Sequence, residues 1–212
     1  MERKADIAYE QIKRKIITGI LKPMIDINEE ELQKELHFSR TPIREALLKL
    51  QVNGYIVVFP NKGTFVTPVS RELIDEIYDM RFLNEPYICK RACHFIPKEL
   101  LLSIKSQLSD VRERDLNNKD YFITLDSDLH LQLLKFCNNS FLISAMQNVY
   151  DHNERIRYFA SDPIEDHSID EHIAIINAIL NKDDAAIDRA VIAHITASKQ
   201  ISINCFKQQP FF

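Results

Sequence analysis

Glycine is nearly absent from this 212-residue chain. It stands at positions 19, 54 and 63 and nowhere later. Glycine is the residue that most readily supplies the left-handed backbone of tight turns. The long stretch after Gly63 therefore reads as helix after helix. The periodicity predicts helices near 70–93, 97–116, 119–137, 140–160, 166–181 and 184–204. They are broken at Pro97, Asn117-Asn118, Asn138-Asn139, Pro163 and Asn181. Six helices of this length with short connections suggest an antiparallel bundle. The tail FKQQPFF, with its proline, is expected to lie loosely or to dock on a neighbour.

The first 69 residues are different. Ile7, Ile12, Ile16, Ile17 and Ile20 fall at helical spacing over 5–20, with Gly19 and Pro23 bracketing the end. Residues 28–53 then read as two short helices joined by a tight turn at His37-Phe38. Asn28 can cap the first, whose opening turn holds three glutamates, and Ser39 is suited to cap the second. Pro42 falls in a first turn, where its missing N–H is not needed. Ile43, Ala46, Leu47 and Leu50 form a buried stripe. Arg40 and Arg44 lie off it at the N-terminal end, with Thr41 between them. A recognition helix needs this chemistry: arginine donates two hydrogen bonds to guanine, and a threonine methyl touches thymine. An ordinary capped surface helix with solvated arginines fits the same letters. Residues 55–69, YIVVFPNKGTFVTPV, add two short strands around a turn carrying Lys62, which reads as a wing beside the helix.

SRTPIREAL, then L-x-x-x-G-Y and P-N-K-G-T-F-V, resembles the winged-helix domain of GntR-family transcription regulators. The resemblance implies that Ser39, Arg40, Thr41 and Arg44 meet DNA, with Lys62 and Gly63 in the wing. It departs from the family at His37, where a turn glycine is frequent, and at Glu30, where some members carry a DNA-contacting arginine.

Several polar residues fall on stripes that should be buried. Asp126 and His130 share the face of Phe122, Leu125, Leu129 and Leu133. His172 leads Ile175, Ile176 and Ile179, and His194 sits among Ile187, Ala190, Val191 and Ile195. Residues four apart on one helix face the same way, so this set could grip one ion. Core histidines bonded to backbone carbonyls would give the same pattern. Arg81 shares the stripe of Ile74, Ile77 and Ile88, and either Glu85, four residues on, or a small organic acid could neutralise it.

LDSDLHLQLL, DEHIAIINAI and AVIAHI resemble the FCD effector domain that follows the winged helix in one GntR branch. That resemblance implies a divalent cation on Asp126, His130, His172 and His194. It also implies an effector carboxylate near Arg81, with Asn153 and Arg157 as further pocket candidates. Imidazole-rich sites favour zinc or nickel, while the oxygen donor admits manganese or iron.

The fold expected is mainly α: a winged helix-turn-helix over 1–69 and an all-helical effector-binding and dimerisation domain over 70–212. The function expected is a homodimeric repressor on an inverted-repeat DNA operator, controlled by a small carboxylate at the metal site. A purely structural or metal-sensing site is the alternative, and a metal-dependent hydrolase a remote one, since no H-E-x-x-H motif is present. Net charge is −4. Residues 1–68 carry 11 Lys and Arg against 9 Asp and Glu, a weak basic bias that suits a DNA-binding head. The N-terminus lacks an apolar signal-peptide core, no run would span a membrane, and Cys89, Cys93, Cys137 and Cys205 show no C-x-x-C pairing. The expectation is a cytoplasmic protein with free thiols.

Overall fold

The computed structural model describes residues 3–114, 119–159 and 166–208. The breaks expected at Asn117-Asn118 and Pro163, and residues 209–212 of the tail, lie outside the described residues. The chain divides into two compact units, one ending at Ser70 and the other beginning at Arg71.

The first unit contains α1 (Lys4–Ile17), α2 (Glu29–Leu36), α3 (Arg40–Val52), β1 (Ile56–Phe59) and β2 (Gly63–Val66). α1 packs on α3. Ile12 and Ile16 are buried on one, and Ile43, Ala46, Leu47 and Leu50 on the other. α1 stops at Ile17, three residues short of the expected end. Ile20 is 69% exposed, because the chain turns through Gly19 at φ 73° before Ile20 could join the buried face. Asn28 caps α2 as expected, accepting from Glu30 N and Glu31 N. His37 takes φ 56°, ψ 36°, so it adopts the left-handed geometry that glycine would have given. Ser39 occupies the N-cap position of α3, yet its hydroxyl makes no capping hydrogen bond. The expected side-chain cap is therefore absent, and the hydroxyl stays exposed.

β1 and β2 pair antiparallel, from Ile56 opposite Val66 to Phe59 opposite Gly63. The sequence reading lacked a third segment. Met24 N donates to Val66 O, Val66 N to Ile25 O and Ile27 N to Thr64 O, so residues 24–27 lie along β2. This brings Asp26 against Gly63. A Cβ at position 63 would lie 2.6 Å from Asp26 Oδ1, the tip of an exposed side chain that can swing aside, so it is the backbone, at φ +124°, that requires glycine.

The second unit is a bundle of α4 (Arg71–Ala92), α5 (Lys98–Arg114), α6 (Lys119–Phe136), α7 (Ser140–Phe159), α8 (Asp166–Asn181) and α9 (Asp184–Gln208). α9 packs on α4 and α8, α7 on α4 and α6, and α5 on α6 and α8. With no glycine available, the backbone reverses at Asn138 and Lys182, both at φ 54°. Asn139 Oδ1 accepts from Leu142 N to start α7, and Asp183 Oδ1 from Ala186 N to start α9. α9 runs to Gln208, so Phe206, Lys207 and Gln208 are helical rather than part of a loose tail. Among the described residues no helix is long and apolar enough to cross a membrane, and all four cysteines are free and buried.

Candidate metal centre and nucleic-acid interface

In the first unit, Ser39, Arg40, Thr41 and Arg44 all stand exposed at the N-terminal end of α3, opposite its buried stripe. Arg44 Nε donates to Glu29 Oε2 at 3.0 Å, and Arg40 Nε lies 3.6 Å from the same oxygen. Asn28, Glu29, Glu30, Gln33, Lys34, Arg40 and Arg44 line a groove of about 770 Å³. Glu29 was not singled out by the sequence, where it looked like one of three first-turn carboxylates. Lys62 is exposed in the hairpin turn beside Asn61, which takes φ 63°. Gly63 follows, fixed by its backbone angle.

In the second unit, the four polar residues on three different helices converge. Asp126 and His130 come from α6, His172 from α8 and His194 from α9, and all are buried. One ligand atom from each lies within 4.8 Å of the other three. In a tetrahedral site with bonds of ~2.1 Å the ligand atoms would be ~3.4 Å apart, so the most widely spaced pair would close by somewhat more than an ångström around an ion.

Each imidazole is turned by a partner on its outer nitrogen. His172 Nδ1 donates to Ser168 O at 2.5 Å, one turn back on its own helix. His194 Nδ1 donates to Glu171 Oε2 at 3.2 Å, and His130 Nδ1 lies 3.5 Å from Glu85 Oε2. A carbonyl or carboxylate oxygen can only accept, so Nδ1 of His172 and of His194 holds the proton and their Nε2 presents a lone pair inward; the longer approach of His130 Nδ1 to Glu85 favours the same tautomer. Asp126 Oδ1, His130 Nε2 and His172 Nε2 are buried without any hydrogen-bond partner. His172 Nε2 and Asp126 Oδ1 approach to 2.5 Å, lone pair to lone pair, which is repulsive unless a proton or a cation sits against both. The residues present fit a divalent cation.

The electrostatics agree. Burial pushes His130 down to about 4, with Glu85 and Asp126 opposing only in part. Burial, helped by the neighbouring imidazoles and Arg81, pushes His194 well below its ordinary value. Both rings are neutral at pH 7, as ligands must be. Burial works against the Asp126 charge, but the Arg157 guanidinium beside it holds its carboxyl well below the usual carboxylate range.

Arg81, Asn153 and Arg157 border the same centre. Arg81 is buried in α4, with Nε on Glu85 Oε1 at 2.5 Å and Nη1 on Asn153 Oδ1 at 2.9 Å. Its Nη2 lies 3.4 Å from Glu85 Oε2 and 3.3 Å from His194 Nε2. Burial opposes its charge, and Glu85 restores it. Glu85 is thus the counterion. Arg157 pairs with Asp126 Oδ2 and stacks over Phe122 at 5.3 Å. The outer acceptors Glu85, Glu171 and Ser168 were missing as such from the sequence reading. Only Ser168, four residues before His172, had a local signal.

Comparison with known proteins covers both units. The description "Bacterial regulatory proteins, gntR family" matches residues 4–66, and "FCD domain" matches residues 76–197. The HTH-type transcriptional repressor RspR of Escherichia coli is 25% identical over 190 residues, spanning 88% of this chain and 83% of that protein. The HTH-type regulator YdhC of Bacillus subtilis is 29% identical over 190 residues, 88% of this chain and 85% of its own. The solved structure of E. coli McbR/YncC superposes with a TM-score of 0.84 at 20% identity, covering 97% of this chain and all of that one.

Proposed function

Because the chain belongs to the gntR family of bacterial regulatory proteins and carries the FCD domain, it is a transcriptional regulator and not an enzyme, and we propose a specific way in which it is controlled. It is a cytoplasmic homodimeric repressor. Asp126, His130, His172 and His194 hold a divalent cation, zinc or nickel before manganese or iron, and a small carboxylate binds beside it. The observation that carries this is the set of three buried ligand atoms without partners, Asp126 Oδ1, His130 Nε2 and His172 Nε2. Such atoms are costly to bury unpaired, and a cation would satisfy all three.

Charge supports an anionic effector. Asp126 is countered by Arg157 and Glu85 by Arg81, so these two carboxylates are already neutralised. A divalent cation would add positive charge to this centre, which an anion neutralises. The ion's chemistry would be to polarise and anchor one carboxylate oxygen. Arg81, Asn153 and Arg157 would orient the rest of the ligand.

At the other unit, Arg40, Thr41 and Arg44 read base edges of an inverted-repeat operator, and Ser39, Lys62 and the Gly63 turn meet the backbone. The effector changes operator affinity only by as much as it prefers one arrangement of the protein over the other. One observation favours a structural metal instead: Glu85, Asn153 and His194 already occupy Arg81's donors.

The test is selection of genomic fragments by the purified protein, beside an Arg40→Ala/Arg44→Ala variant, with zinc and pooled organic acids present or absent. Enrichment of a short inverted repeat by the wild type alone, altered by one acid, supports the reading. Equal enrichment by both proteins overturns the base-reading roles. Indifference to every acid leaves the structural metal.

A further inference from the structure

The four inward ligand atoms are not equivalent. Asp126 Oδ1, His130 Nε2 and His172 Nε2 have no partner, whereas His194 Nε2 has Arg81 Nη2 at 3.3 Å. With its Nδ1 proton directed at Glu171, His194 has one in-plane lone pair left. A guanidinium carries donors only, so Arg81 is the donor of this contact. The site is therefore three-quarters open, with the fourth ligand held by a cation of the protein's own.

We propose that Arg81 and the metal ion compete for the same lone pair of His194, so that cation binding frees one Arg81 N–H to receive a carboxylate oxygen. This rests on the reading of the Asp/His cluster as a metal site, and adds a coupling between cation and anion that the reading does not require. The exchange is local. Arg81 Nε stays on Glu85 Oε1 at 2.5 Å and Nη1 stays on Asn153 at 2.9 Å, so the guanidinium keeps its place while a single N–H changes partner. That N–H would then be free to bond an oxygen of a carboxylate held on the ion. Without an anion, Arg81 opposes the ion twice: it holds a ligand, and it repels the charge. An anion between them removes the repulsion. By linkage, the factor by which a carboxylate tightens cation binding equals the factor by which the cation tightens carboxylate binding.

The experiment uses the full-length, metal-stripped protein with zinc as the cation and acetate as the anion. Arg81→Lys keeps a positive charge near Glu85 but lacks the fork that reaches His194 as well. Calorimetric titration should show Arg81→Lys binding zinc about tenfold more tightly than the wild type in chloride buffer. Acetate should tighten zinc binding by the wild type and leave the variant unchanged. In the wild type, nitrogen-detected NMR should show one Arg81 Nη–H resonance moving on zinc addition while its Nε–H stays in place. Zinc affinity no tighter in Arg81→Lys, together with an unmoved Nη–H resonance in the wild type, overturns the competition but leaves the metal site standing. A wild type that takes up no zinc at all overturns the metal reading itself, and the competition with it.

Discussion

Glu29 sets how the two arginines at the head of α3 present their charge. Its Oε2 holds Arg44 at 3.0 Å and stands 3.6 Å from Arg40. A surface pair of this kind contributes little to stability, roughly 0–1 kcal/mol. Its effect should appear in binding. Glu29→Ala should strengthen binding to unrelated DNA several-fold and steepen its salt dependence, while the margin between operator and unrelated DNA narrows. Fluorescence anisotropy against salt concentration checks both. At the helical centre, His130 titrates near 4 when folded and near 6.5 when unfolded, and His194 is lowered in the same sense. Between those values the unfolded chain takes up protons that the folded chain refuses. Stability of the metal-free protein is therefore intact above pH ~6.5 and falls as pH drops toward 4. Urea midpoints at pH 7 and 5 should show the loss, and His130→Gln should reduce it. The four candidate ligands are legible in the sequence because a polar residue at a stripe position stands out against Leu and Ile. Their outer partners are not. Glu85 reaches His130 from α4, and Glu171 reaches His194 on α9 although its own sequence neighbour is His172. Such pairings depend on how helices pack.

Among the elements, the hairpin depends on one glycine pressed against a carboxylate. Gly63→Ala should destabilise the first unit by about 1–3 kcal/mol, chiefly from the positive φ, with a small part from displacing the exposed Asp26 side chain. Adding Asp26→Ala should recover the part due to the clash and leave the part due to backbone strain, which a double-mutant cycle by chemical denaturation separates. The turn between α8 and α9 gives the opposite case. Lys182 sits at φ 54° where glycine would be unstrained, so Lys182→Gly should raise stability by about 1 kcal/mol, read as a higher urea midpoint. Helix positions in the second unit follow from periodicity because apolar stripes and Asn or Pro breaks coincide there. Residues 24–27 escaped notice as a strand partner because four residues carry too little periodicity. The end of α9 escaped because a charged and amide-rich tail gives no stripe, although Lys and Gln are good helix formers.

At the scale of the whole molecule, the reading assigns sensing and DNA contact to separate compact units. Calorimetry of the full chain should then resolve a metal-sensitive and a metal-insensitive component. Zinc at 100 times its Kd should stabilise the helical unit by about 2.7 kcal/mol and leave the first unit's transition where it was. His172→Ala should abolish that difference. The connection between the units has a mechanical consequence. Arg71, the first residue of α4, directly follows Ser70, and the same helix carries Arg81 and Glu85. Ten residues of helix make a rod of ~15 Å, so a tilt of about 5° pivoting at Arg81 would displace the junction by roughly 1.3 Å. Residues 67–70, which are neither helix nor strand, join the hairpin to that end of α4. The start of α4 thus works as the end of a lever whose fulcrum is Arg81, and a change of partner at that guanidinium would be read there as a displacement.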